Sequence, residues 1–174
     1  SVTKIEFWAF YLCRSLTNVT LPANLVSLGN QAFYECGALE QVTLRDSLTN
    51  MGAFTFYNCT NLASVTFGKG ASSIEDGTFQ RSGLPTVRIP NWITRIGSAS
   101  FWASPRLPRV VIGDGVTNLA GTAFQSCSAL TNVIVGSGVV AVTNYAFANC
   151  SNLRQVFFTG NAPGYEANAF GSDN

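Results

Sequence analysis

Residues 25–44 read LVSLGNQAFYECGALEQVTL, and residues 116–135 read VTNLAGTAFQSCSALTNVIV. Superposed, the two stretches share an aliphatic residue at the first and fourth places, then Ala-Phe, Cys, Leu, Val and a final aliphatic. The pattern extends over the whole chain. Phe10, Phe33, Phe56, Phe79, Phe101, Phe124, Phe147 and Phe170 follow one another at 23 residues, with one step of 22 after Phe79. Three residues past each of the first seven stands Cys13, Cys36, Cys59, Ser82, Ser104, Cys127 or Cys150. Rows of leucine (Leu16 to Leu153) and valine (Val19 to Val156) follow at the same period. The missing residue falls between Phe79 and Leu84, where the corner must be tighter.

A unit of 22–23 residues cannot bury its own apolar side chains, so successive units must stack and share one core. A solenoid of paired helices is the competing architecture, but the conserved part of the unit is too short for two helices and their turns. The V-x-L segments, such as Val42-Thr43-Leu44, alternate inward and outward as strands do. They should pair in parallel from unit to unit. The aliphatic pairs Leu25/Leu28 and Ile93/Ile96 suit short second strands. The A-F-x-x-C stretch predicts one short helical or 3₁₀ turn, which would point Ala, Phe and Cys inward together. Turns such as Gly68-Lys69-Gly70 and Gly113-Asp114-Gly115 predict glycines at φ > 0.

The chain has 174 residues, 47% hydrophobic and only 11% charged, with a formal net charge of +1 and no histidine. That composition excludes disorder. It also offers no general attraction to nucleic acid or to an anionic membrane. Without histidine there is no imidazole base and no His-liganded metal. Glu75-Asp76 is the only adjacent acidic pair, and it reads as a solvated turn rather than half of a glycosidase site. The five cysteines share one interior position, also filled by Ser82 and Ser104, so they read as free buried thiols rather than disulfides or a metal cluster. No cofactor is expected. Three N-x-S/T sequons, at Asn18, Asn58 and Asn149, would matter only in an exported eukaryotic chain; Asn58 and Asn149 also fit as turn residues.

The two stretches quoted first resemble the BspA-like leucine-rich repeats, and the likeness covers essentially the whole chain. The resemblance implies a leucine-rich-repeat solenoid: a right-handed coil of about seven repeats, with a parallel β-sheet on one face. Short helical or 3₁₀ turns and short strands would form the other face. It also implies a non-enzymatic protein, extracellular or at the cell surface, within a larger adhesin-like architecture. The expected organisation is one solenoid domain over 1–174, part of a longer chain, with an irregular incomplete repeat at 159–174. Open ends would permit self-association.

Function is then sought in the outward positions of the sheet. The row inside the V-x-L pairs runs Thr20, Thr43, Thr66, Arg88, Val111, Ile134, Phe157, from polar to apolar. With Arg109 and Arg154 at its rim, this stripe reads as a protein-binding patch, the ligand being a host or neighbouring-cell surface protein. Plain β-propensity accounts for the same residues without a partner. A structural spacer and a glycan-binding module are the alternatives. Arg81, Arg88, Arg95, Arg106, Arg109, Trp92 and Trp102 cluster in sequence, but the period scatters them over different faces, which argues against a nucleic-acid platform.

Overall fold

The computed structural model describes residues 2–171. The chain winds as a parallel-β solenoid with strands along two flanks of a shared core. One flank carries two-residue strands: β1 (Lys4–Ile5), β2 (Ser27–Leu28), β4 (Asn50–Met51), β6 (Ser73–Ile74), β8 (Arg95–Ile96), β10 (Asn118–Leu119), β12 (Ala141–Val142) and β14 (Gly164–Tyr165). The other flank carries the V-x-L strands: β3 (Gln41–Thr43), β5 (Ser64–Thr66), β7 (Val87–Ile89), β9 (Arg109–Ile112), β11 (Asn132–Val135) and β13 (Gln155–Phe158). Every pairing is parallel and keeps the sequence period, so Val110, Val133 and Val156 stand in register. Both ribbons are interrupted at the same level, between β4 and β6 and between β5 and β7. The second break follows the shortened corner. There Gly83 is buried and donates its N–H to the Cys59 carbonyl, and a Cβ on it would lie 2.0 Å from the Thr60 carbonyl oxygen.

Between the ribbons lies a column of phenylalanines. Phe33, Phe56, Phe79, Phe101, Phe124 and Phe147 are buried. From Phe10 to Phe170 each ring stacks on the next, with centroids 4.9 to 5.7 Å apart. The widest step, Phe56 to Phe79, coincides with the break in the ribbons. There Phe67 turns its edge onto Phe79, at 6.0 Å. Each buried ring contributes about 1.5–3 kcal/mol through burial, and stacking adds about 0.5–1.5 kcal/mol per pair. The last rung continues the pattern: β14 pairs with β12, and Phe170 stacks on Phe147.

The A-F-x-x-C segment is not helical, and the described residues contain neither α- nor 3₁₀-helix. Its hydrogen bonds show why. Ala32, Tyr34 and Cys36 donate to carbonyls three residues back, at Gly29, Gln31 and Phe33. The intervening Gln31, Phe33 and Glu35 donate instead to the next rung, at Ala53, Thr55 and Tyr57. A helix needs consecutive N–H groups to bond within the segment. Here alternate N–H groups point along the solenoid axis, leaving a run of overlapping β-turns. Two residues per segment take φ > 0 to allow this: Gln31 (57°) and Glu35 (54°) in this unit, Phe54 (55°) and Asn58 (54°) in the next. That is the sign a type II turn requires at its third residue.

The turn glycines also differ from expectation. Gly77 (φ 61°) is the only described glycine in the left-handed region. Glycine is needed in the inter-strand turns for close approach of rungs: a Cβ on Gly115 would lie 1.7 Å from the Asn91 carbonyl oxygen.

From the second rung on, the small residue before each Phe is buried as well. The hydroxyls of Thr55 and Thr78 donate to the carbonyls of Gly52 and Glu75. The Ser100 hydroxyl is buried without a partner. Alanine fills this place at positions 32, 123, 146 and 169. Ser100→Ala is therefore expected to raise unfolding stability by about 1 kcal/mol. A denaturant titration showing equal or lower stability would contradict this account of the position.

Candidate ligand face

The outward side of the longer strands brings most of the expected residues together. The pleat turns Val110 and Ile112 into the core and Val111 outward. Ladder register places Arg88 beside Val111, Val111 beside Ile134, and Ile134 beside Phe157. Phe157 is 66% exposed, while Val111 and Ile134 are half-buried. A parallel polar row runs alongside, Arg109–Asn132–Gln155, in which the Asn132 amide donates to Gln155 Oε1 at 2.7 Å. Arg109, Asn132, Val133, Ile134, Gln155 and Phe157 line a shallow hollow of about 320 Å³. Arg154 is exposed at the start of β13 and lies outside this lining.

A second hollow, of about 500 Å³, opens where β5 and β7 part. Val65, Thr66, Phe67, Arg88, Pro90, Asn91 and Trp92 line it. Trp92 is held in place by its indole N–H, which donates to the Gly68 carbonyl at 3.0 Å, and 38% of the residue remains exposed. Periodicity alone separates Arg88 from Trp92, because one is on a strand and the other in a turn. The Pro90-Asn91 corner folds the turn back beside the strand and joins them. Trp102 lies in the turn flank, with the Arg81 guanidinium 5.4 Å from its ring centroid.

The turn flank holds an aromatic ladder that the strand periodicity does not predict. Tyr11, Tyr34 and Tyr57 stack at 5.0 and 4.4 Å. Burial, with the Tyr57 hydroxyl alongside, pushes the Tyr34 phenol up to about 12. Asn58 and Asn149, at φ 54° and 57°, occupy the left-handed turn positions, a conformation asparagine tolerates well. Glu75 and Asp76 are half-buried and both bind Arg95, at 2.9 and 3.0 Å, so the pair is an ion-pair anchor rather than a solvated turn.

All five cysteines are unbridged. Cys36, Cys59, Cys127 and Cys150 are buried and donate to the carbonyls of Phe10, Phe33, Phe101 and Phe124 at 3.1–3.4 Å. Ser104 makes the same bond to Phe79, at 3.2 Å. Cys13, in the first rung, is exposed. Among the described residues no group of three or more His, Cys, Asp or Glu side chains could hold a metal ion. No helix among them is long and apolar enough to cross a membrane.

Comparison with known proteins bears on this geometry. A family model described as "BspA type Leucine rich repeat region" matches in six copies, over residues 1–107 and 72–174. No curated protein sequence matches. Among solved structures, a T. pallidum leucine-rich-repeat protein is similar at 26% identity and TM-score 0.74, covering 98% of this chain and 73% of that one. A leucine-rich-repeat protein from Eubacterium ventriosum aligns at 20% identity and TM-score 0.69, covering 86% and 49%. The pneumococcal vaccine antigen PcpA aligns at 18% identity and TM-score 0.65, covering 90% and 48%. The chain thus spans about half of these last two, and their likeness is one of fold. With its repeats matched from end to end, the chain belongs to the BspA-type leucine-rich-repeat family, a non-catalytic protein-interaction scaffold.

Proposed function

We propose that the chain is a recognition or adhesion module that binds a protein ligand, on a host or neighbouring cell, through the outward face of its longer strands. The supporting observation is the in-register row Val111–Ile134–Phe157, which ends in a largely exposed aromatic ring and is flanked by Arg88 and Arg109. An exposed Phe on a rigid ladder loses little conformational freedom on binding, and apolar anchors next to arginine are the composition of interface hot spots. Arg154 would add a charge at the rim.

The test starts from a panel of extracellular-matrix and cell-surface ectodomains, screened for the tightest binder of the intact chain. Against that binder, a V111S/I134S/F157S variant is expected to lose affinity by about ten-fold or more, equivalent to about 1.4 kcal/mol. The substitutions lie on the solvent side of the sheet, so the variant should still unfold cooperatively. Unchanged affinity would overturn the strand-face reading.

A further inference from the structure

The net charge of +1 conceals a separation of charges. On the short-strand and turn flanks, Lys4 pairs with Glu6, Arg14 with Glu35, and Arg95 with Glu75 and Asp76. The longer-strand face and its margins carry Arg45, Arg88, Arg109 and Arg154. All four are exposed, and none is ion-paired among the described residues. The acids nearest this face form no ion pair with them among the described residues. Glu40 stands alone at the edge of β3. Asp46 and Asp114 are turned into their own corners, where their carboxylates accept the backbone N–H groups of Lys69 and Ser137 at 2.8 and 2.9 Å. The same bonds hold the Asp114 carboxyl below the usual carboxylate range.

Resting on the strand-face reading above, we infer that the bound segment is an acidic peptide: an extended stretch whose carboxylates flank an aliphatic or aromatic side chain. Arg88 stands level with Val111 on the neighbouring strand, and Arg109 lies two residues before Val111 on the same side of β9. Carboxylates met by these two guanidiniums would therefore lie next to the apolar row. From Arg88 on β7 to Phe157 on β13 the face crosses three strand spacings, about 14 Å, and with the wider step from β5 the reach is that of about six or more extended residues. Such a segment would pass over both hollows, placing one side chain against Trp92 and Phe67 and another against Ile134 and Phe157. Arginine's planar fork favours carboxylates in paired geometry. A polyanionic glycan would satisfy the arginines but offers no hydrocarbon side chain to cover Phe157.

The experiment selects a displayed library of random dodecapeptides against the intact chain at low and at physiological ionic strength. Peptides bearing two or more Asp or Glu around an apolar residue should be enriched. Their affinity should weaken with salt and fall by about ten-fold or more against an R88E/R109E variant. Selection on that variant should reverse the preference toward basic peptides. Neutral apolar peptides that bind R88E/R109E normally but fail on V111S/I134S/F157S would overturn the acidic partner and leave the strand-face reading standing. Peptides indifferent to both variants would overturn both. An empty selection would overturn the peptide proposal, and arginine-dependent binding to a sulfated glycan would replace it with a carbohydrate ligand.

Discussion

Phe101→Ala is expected to remove about 3–5 kcal/mol of unfolding free energy, the range for truncating a fully buried aromatic residue. Phe101 is stacked between Phe79 and Phe124 at 5.4 and 5.0 Å and has no exposed surface. Truncation leaves a void at mid-column, and the two flanking rings each lose a partner. Because rungs touch only their neighbours, the loss also weakens the coupling between the two halves of the solenoid. A second, earlier transition in denaturant should accompany it. Phe170, 40% exposed and stacked on one side among the described residues, is the internal control. Its truncation should cost about 1 kcal/mol or less. Equal losses at the two positions would show that the column is not a shared core.

A comparable effect is expected in thiol chemistry. In native buffer one thiol per chain, Cys13, should react at once with Ellman's reagent. The other four should react at least about a hundred-fold more slowly, or only on unfolding. Burial pushes Cys36 and Cys150 up to about 11 and Cys127 up to about 12, and a neighbouring thiol adds to the effect at Cys36 and Cys127. Cys59 is raised by the same causes. The folded chain therefore holds these thiols protonated after the unfolded chain would have released their protons. The stabilisation is complete below the unfolded thiol value of about 8.5 and is lost as pH rises toward 11 and 12. The urea midpoint should fall steadily over that range. Rapid reaction of all five thiols in the native state, or a midpoint unmoved by alkali, would contradict an interior cysteine column.

The rows of Phe, Cys, Leu and Val were legible because one inward position per rung admits few residue types, and seven rungs repeat the constraint. Strand polarity and register followed from the same rows. The A-F-x-x-C segment was not legible in this way. Placing Ala, Phe and Cys on one side is equally achieved by a helical turn or by successive β-turns. The deciding feature, φ > 0 at two places per unit, is masked by the residues there, which include Trp8, Phe54, Arg81 and Thr122. Their strain is offset by hydrogen bonds to the next rung, so glycine marks only one of these positions, Gly77. At the turn glycines composition suggested unusual dihedrals, whereas the cause is contact between rungs. On the ligand face, Arg88, Val111, Ile134 and Phe157 could be placed by period. The Trp92 hollow could not, since it depends on a corner and on a local parting of the strands.

The most direct measurement is a nuclear Overhauser experiment on chain labelled at phenylalanine. Ring protons of Phe101 should show cross-peaks to Phe79 and Phe124, one rung away on either side, and none to Phe56 or Phe147. Absence of the neighbouring pair, or contacts that skip a rung, would contradict the stacked column, and with it the register that sets Val111, Ile134 and Phe157 side by side.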